Sequence, residues 1–193
     1  MVNEARLERV ASGLAPVTPG WFIVNTAEAA WVTNDDWCGG VCIFESDEFV
    51  LRGRPDLTEY VKPHAGFTIR VVPPGRPSDL YHAESVQEDF LILSGECVLI
   101  IEEEERHLRA WDFVHCPPMT AHTFVATDDG PCVILATGNR RDDLERIYPR
   151  SEVALRHRHD AGSTLTTADP ERHGQWEVRH PAGWDELPWA RSI

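Results

Sequence analysis

Short apolar runs, separated by polar and proline-containing segments, fill the chain from residue 21 onward. The runs at 21–24, 40–44 and 67–72 are rich in the aromatic and β-branched residues that favour strands. Between residues 80 and 137 further short runs follow one another, with turn-forming residues between them. Many short strands at such spacing predict an antiparallel sandwich or barrel, so we expect an all-β fold.

Both ends of the chain depart from this pattern. Leu7, Val10 and Leu14 recur at helical spacing, which predicts a short amphipathic helix near the start. Residues 140–148 and 151–157 are predicted to form two more short helices. We therefore expect short helical N- and C-terminal extensions on either side of a barrel.

The pattern divides the chain into an N-terminal extension over residues 1–65, a barrel core over 66–139 and a C-terminal tail over 140–193. Beyond residue 160 the tail is polar, yet it contains three tryptophans: Trp176, Trp184 and Trp189. Large aromatic side chains in so polar a segment indicate that the tail docks on its own barrel or on a partner chain.

Charge limits the partners of the chain. The 193 residues include 32 acidic and 18 basic side chains, which gives a net charge of −14. Such a charge opposes nucleic acids and anionic membrane surfaces, because both attract positive patches. No apolar run approaches the roughly 20 residues that cross a bilayer, and the first ten residues lack the hydrophobic stretch of a secretory signal. Five scattered cysteines suit reduced thiols, so we expect a cytoplasmic protein.

One stretch of the core combines histidine and glutamate at strand spacing. His82 and Glu84 are two residues apart, so on a strand their side chains share a face. Glu88 comes shortly before an apolar run, and a chain that folds back there brings a third donor beside them. His122 opens another predicted strand far downstream, and we expect it to close the site.

These residues resemble the first motif of the cupin superfamily, which reads G, five residues, HxH, three or four residues, E, six residues, G. Gly75 stands ahead of His82 with six residues between them rather than five, a small departure in a loop. Glu84 occupies the place of the usual second histidine. Glu88 and Gly95 are in register with the motif.

The second cupin motif reads G, five residues, P, one residue, G, two residues, H. Trp111, Pro117, Met119 and His122 occupy those places, so both glycines are replaced while the proline and the histidine are in register. The resemblance covers residues 75–137, about one third of the chain. It implies the cupin double-stranded β-helix, a jelly-roll-like barrel, with a metal site inside one end.

The resemblance implies one divalent metal ion held by His82, Glu88 and His122, with Glu84 as a fourth ligand. Two imidazoles and two carboxylates neutralise the ion and supply hard oxygen donors, which favours iron(II), manganese(II) or zinc(II) over copper. Without Glu84, the other three residues still match the two-histidine, one-carboxylate pattern of non-haem iron sites. Glu84 would then be a hydrogen-bond acceptor behind the ligands, and both arrangements stay open.

The expected function follows from such a metal. We predict an enzyme with dioxygenase-type or isomerase-type chemistry on a small polar or aromatic organic substrate. The alternative is a barrel that binds a small ligand without turnover, because fold does not separate the two functions. An open coordination position beside a pocket would favour the enzyme. Barrels of this family commonly pair, so the resemblance also implies a homodimer.

Overall fold

The computed structural model describes residues 2–18, 20–33, 39–43, 64–141, 143–157 and 180–187. Within these ranges the regular structure is almost entirely strand, with one short α-helix, α1, at Glu152–Arg156 and a 3₁₀ turn at Trp184–Glu186. The strands are β1 Leu7–Arg9, β2 Leu14–Pro16, β3 Trp31–Thr33, β4 Gly40–Ile43, β5 Ala65–Val72, β6 Ala83–Glu84, β7 Glu88–Ser94, β8 Glu96–Ile101, β9 Glu104–Arg109, β10 Phe113–Cys116, β11 His122–Ala126, β12 Cys132–Asn139, β13 Arg146–Ile147 and β14 His180–Ala182. The predicted all-β fold is confirmed.

Two sheets form the body of the molecule. The larger has seven strands in the order β10-β7-β12-β5-β4-β3-β14, and the smaller has three in the order β11-β8-β9. Every pairing within both sheets is antiparallel, as in a jelly-roll-like barrel. Sequential strands β7 and β8 belong to different sheets, with Gly95 between them at a φ of 75°, a backbone conformation that favours glycine.

The main hydrophobic core lies between the inner faces of these sheets. Phe90, Ile92 and Ile134 project from the large sheet and meet Leu99 and Phe124 from the small one. Residues two apart on a strand share a face, so Glu88 continues the inward row of Phe90 and Ile92. Burial of each large apolar side chain contributes roughly 1.5–3 kcal/mol, and this cluster therefore holds the two sheets together.

The N- and C-terminal segments cover part of the outer face of the large sheet. Trp31 is fully buried there and packs near Val71. The ring of Trp184 meets that of Trp31 edge-on, with 5.7 Å between centroids. Trp184 therefore docks on its own chain, whereas Trp176 and Trp189 lie outside the described residues.

The helix predicted near the start is wrong, because β1 and β2 form an antiparallel pair in which Leu7 lies opposite Pro16. The amide of Val10 donates to the carbonyl of Gly13 (2.8 Å) in the connecting turn. So short a segment gains little as an isolated helix. The extended form instead bonds to the rest of the chain, for example from the Ala5 amide to the Trp21 carbonyl (2.8 Å).

The helix predicted over residues 140–148 is also wrong in the residues that the structure describes. Arg146–Ile147 is strand β13, which pairs with β6 and places Arg146 opposite Glu84. The helix predicted over 151–157 is confirmed as α1, where the Ser151 hydroxyl accepts from the Ala154 amide (2.9 Å). No helix in the described ranges is long and apolar enough to cross a membrane.

Candidate metal centre

Two histidines from distant parts of the chain are joined by backbone hydrogen bonds. The amide of His122 donates to the carbonyl of His82 (2.9 Å), and the amide of His82 donates back to the carbonyl of His122 (3.2 Å). This antiparallel bridge lies at the start of β11. It brings the two imidazole centroids to 5.1 Å.

Glu88 joins them from the large sheet. It is the first residue of β7, opposite Cys116 on one neighbouring strand and Gly138 on the other. A carboxylate oxygen of Glu88 lies 3.7 Å from Nε2 of His122. One potential ligand atom from each of His82, Glu88 and His122 lies within 4.8 Å of the others, so these three residues form a group that could hold a metal ion.

Hydrogen bonds to the other ring nitrogens orient both imidazoles. Nδ1 of His82 lies 2.6 Å from the carbonyl oxygen of Leu80, and Nδ1 of His122 lies 3.0 Å from that of Thr120. A carbonyl only accepts, so each Nδ1 carries the proton. Each Nε2 therefore keeps a lone pair, the arrangement that metal-binding histidines require, and Nε2 of His122 is the one that lies 3.7 Å from Glu88.

Burial keeps these imidazoles neutral. His82 is 5% exposed and His122 is 2% exposed. Burial, reinforced by the neighbouring His82, lowers the pKa of His122 to about 4, and burial likewise lowers the pKa of His82. At neutral pH neither ring has to lose a proton before it can bind a metal ion.

The pKa of Glu88 is shifted in the opposite direction, upward. Burial, and after it the nearby Glu84 carboxylate, raise its pKa to about 8 against the opposing effect of Arg70 and Arg146. A cation between Glu88 and the imidazoles would reverse the cost of ionising this carboxylate. The donor set of two neutral imidazoles and one carboxylate thus fits a divalent metal ion.

Glu84 is close to the site but engaged elsewhere. It is 4% exposed, and one oxygen accepts from both Nε (2.7 Å) and Nη2 of Arg146. That oxygen lies 3.9 Å from Nε2 of His82. Glu84 is not part of the group of three, and its role as a fourth ligand stays a prediction.

Aromatic rings surround the group. The ring centroid of Phe90 lies 5.0 Å from that of His122, and the ring of Tyr148 lies 6.0 Å from His82. Arg146 and Tyr148 were not predicted as site residues, because their segment was interpreted as helix. Arg146 and Tyr148 are two residues apart, so on a strand their side chains share a face. This spacing is the feature of the sequence that is compatible with a strand here.

Three protein ligands leave coordination positions for a substrate or water, whereas a structural metal site is closed by four. The backbone bridge, the hydrogen-bonded imidazoles and the inward carboxylate together position three candidate ligands. Such a site can polarise an oxygen-containing group of a small molecule.

Comparisons with known proteins agree with this architecture. The family model described as Cupin domain matches residues 68–138. No curated protein matches the chain at a significant level. Among solved structures, a cupin-2 domain protein of Rhodospirillum rubrum shares 16% identity over 67% of this chain and 82% of its own, with a TM-score of 0.50. Similarity at this identity shows a shared fold.

Two other solved structures are similar over shorter stretches. A protein of Acidithiobacillus ferrooxidans, provisionally described as a sugar phosphate isomerase, is 30% identical over 48% of this chain, with a TM-score of 0.43. A sugar phosphate isomerase of the cupin superfamily from Silicibacter pomeroyi is 20% identical over 59% of this chain, with a TM-score of 0.47. This chain spans 62% of the first protein and 67% of the second.

The two motifs, the pair of antiparallel sheets and the match over residues 68–138 all lead to one assignment. Residues 68–138 match the cupin domain, and the barrel is a cupin double-stranded β-helix.

Proposed function

We propose that the protein is a metal-dependent enzyme whose single divalent ion is bound by His82, Glu88 and His122. The observation that carries this proposal is the convergence of their ligand atoms within 4.8 Å, with both Nδ1 atoms held by carbonyls. Glu84 stays behind His82 in its ion pair with Arg146. The ligand set suits iron(II), manganese(II) or zinc(II).

The substrate is a small polar or aromatic molecule, and the chemistry is of the isomerase or dioxygenase type. A bound divalent ion supplies Lewis acidity toward a carbonyl or carboxylate and, if it is iron, a site for dioxygen. The protein orients the ligands through Leu80 and Thr120. Phe90 and Phe124, whose rings lie 4.8 Å apart, close the barrel interior against water on one side of the imidazoles.

Elemental analysis of the purified protein tests this proposal. Protein grown with added iron, manganese and zinc should retain about one ion per chain, and His122→Ala should retain less than a tenth of that. His107→Ala, which removes an exposed histidine of β9, should bind metal as the wild type does. Because His122 is buried, Glu88→Gln provides a second ligand variant, and circular dichroism verifies that each variant folds.

Negligible metal in the wild-type protein would contradict the proposed centre.

Metal-loaded protein is also incubated with hydroxy acids, sugars and aromatic acids, with product formation followed by NMR and oxygen uptake by electrode. Turnover by the wild type that is lost in His122→Ala is expected. Metal and ligand binding without turnover would instead support a non-catalytic ligand-binding cupin.

A further inference from the structure

An ion pair between Arg146 and Glu84 lies beside the metal centre. Both Nε (2.7 Å) and Nη2 of Arg146 donate to the same carboxylate oxygen, Oε1, of Glu84. Glu84 is 4% exposed, and a carboxylate buried to this extent requires a partner. Charge-assisted bonds from two nitrogens of one guanidinium are a strong partner, so Arg146 supplies what the burial of Glu84 demands.

The backbone fixes both members of this ion pair. Glu84 and Arg146 are opposite residues of β6 and β13. The amide of Ser85 donates to the carbonyl of Glu145 (2.8 Å), and the amide of Glu145 donates to the hydroxyl of Ser85 (2.9 Å). The amide of Met119 donates to the carbonyl of Glu84 (2.7 Å). The contact is therefore made by two hydrogen-bonded segments and does not depend on a chance meeting of side chains.

Glu84 is close to one candidate metal ligand but does not converge with the other two. Its Oε1 lies 3.9 Å from Nε2 of His82. Among the described residues, the group whose ligand atoms lie within 4.8 Å of one another consists of His82, Glu88 and His122. Glu84 is thus near enough to His82 to approach a metal ion, but its carboxylate is bound to Arg146 instead.

Arg146 and a metal ion are competing cations for Glu84. If the carboxylate moved to the ion, Arg146 would lose its charge-assisted bonds to Oε1. If it stays, the two neutral imidazoles and Glu88 leave a divalent ion with net positive charge. An ion with few protein ligands and net positive charge can bind and polarise an oxygen of a small molecule.

We propose that Arg146 limits the metal ion to three protein ligands, because it holds Glu84 in an ion pair and leaves the position that Glu84 could fill open to water or substrate. Arg146 is a positioning residue in this role, since it acts through Glu84. The inference rests on the metal centre proposed above and concerns how many positions that centre offers. The fourth-ligand role that the family resemblance implies for Glu84 then applies only when Arg146 is removed.

Water-proton relaxation of manganese-loaded protein tests this role, because it reports how many exchangeable water molecules the ion carries. Glu84→Gln should carry as many as wild type, since Glu84 is not a ligand there. Arg146→Met lacks the donors that hold Glu84, so the carboxylate should bind the ion and displace about one water molecule. The double variant, Arg146→Met with Glu84→Gln, should regain that water molecule.

Competition with a chelator gives the dissociation constant of manganese for the same proteins. Glu84→Gln should weaken binding by on the order of tenfold more in the Arg146→Met background than in wild type, because only there does it remove a ligand. Arg109→Met is the matched control, since it removes an exposed positive charge from β9 at the end of the small sheet away from His122. It should change neither the number of water molecules nor the dissociation constant.

Circular dichroism verifies that each variant folds. Because Arg146→Met leaves a buried carboxylate without its partner, Arg146→Lys serves as a milder variant, in which a point charge holds Glu84 less firmly and the water number lies between the two extremes. A gain of water in Glu84→Gln alone would show that Glu84 already binds the ion, and it would overturn this inference while the metal centre stands. Equal water numbers in wild type, Arg146→Lys and Arg146→Met would overturn it as well. Wild type that binds no manganese contradicts the metal centre itself.

Discussion

Two residues in left-handed backbone explain why glycine is usual at their positions in the second cupin motif. Trp111 has a φ of 75° and Met119 a φ of 68°. Both occupy glycine places of that motif. An L-residue in this region brings its Cβ close to the following carbonyl oxygen, at a cost of about 1–2 kcal/mol. Both turns therefore have the backbone geometry that favours glycine, although neither position carries a glycine.

Substitutions at Trp111 measure this strain. Because Trp111 is 77% exposed, its side chain contributes little to the core. Trp111→Gly should be more stable than Trp111→Ala by about 1 kcal/mol, since only alanine retains the strained Cβ. Chemical denaturation measures the difference in the free energy of unfolding.

Phe113 provides the control for that comparison, because it is also exposed and lies in β10 with ordinary strand geometry. There the order should reverse, with Phe113→Gly less stable than Phe113→Ala by about 0.5–1 kcal/mol. Equal stabilities for the two Trp111 variants would show that the turn relaxes when the indole is removed.

Glu88 should make the stability of the metal-free protein depend on pH. Its folded pKa of about 8 exceeds the ordinary value of 4.5, because burial and then Glu84 oppose ionisation. The folded state binds this proton more tightly than the unfolded state. Stability is therefore lost as pH rises from about 4.5 to 8. Glu88→Gln removes the ionisation, so at pH 8 it should be more stable than wild type by on the order of a few kcal/mol.

Denaturation in the presence of a chelator, at several pH values, gives the difference between Glu88→Gln and wild type. That difference should be near zero at pH 4.5 and grow toward pH 8, while the buried histidines contribute similarly to both proteins. Glu96→Gln, at an exposed position of β8, should show no such growth. A difference that stays constant with pH would mean that Glu88 ionises without cost.

At the level of strands, the barrel was predictable because short apolar runs recur over a long part of the chain. The runs at 67–72, 90–93 and 96–101 all lie within strands β5, β7 and β8. The convergence of His82 and His122 also followed from motif spacing. What the sequence did not contain is the bridge between them, since pairing of backbone groups 40 residues apart depends on tertiary structure.

The ends of the chain were less predictable for a physical reason. Three apolar residues at helical spacing, such as Leu7, Val10 and Leu14, satisfy the helix pattern in a segment too short to form an independent helix. Hydrogen bonds to other parts of the chain then stabilise the β1–β2 pair rather than a helix. Likewise, β13 forms because Arg146 finds the buried Glu84 across the β6 pairing. That partner is 62 residues away and has no local signature.

For the molecule as a whole, the described residues of the C-terminal segment are part of the fold. Trp184 and Leu187 join the cluster around Trp31 on the outer face of the large sheet, and the ring of Tyr148 lies 6.0 Å from that of His82. Residues beyond the cupin core thus pack on it and lie beside the proposed metal site. The homodimer implied by the family resemblance stays a prediction.

The proposed metal site also joins the two sheets. Glu88 begins β7 of the large sheet, whereas His122 begins β11 of the small sheet and is bridged to His82. A bound ion would link these elements only in the folded state. Metal at one hundred times its dissociation constant should therefore raise the free energy of unfolding by about 2.7 kcal/mol, and a chelator should reverse the effect.

Thermal and chemical unfolding at several concentrations of manganese or zinc measure this linkage. Each tenfold increase in free metal above saturation should add about 1.4 kcal/mol to wild type and nothing to Glu88→Gln, which lacks the carboxylate that the large sheet contributes. Stability that does not change while elemental analysis detects bound metal would place the ion elsewhere, on a site that does not span the sheets. The slope against metal concentration thus tests the position of the site as well as its existence.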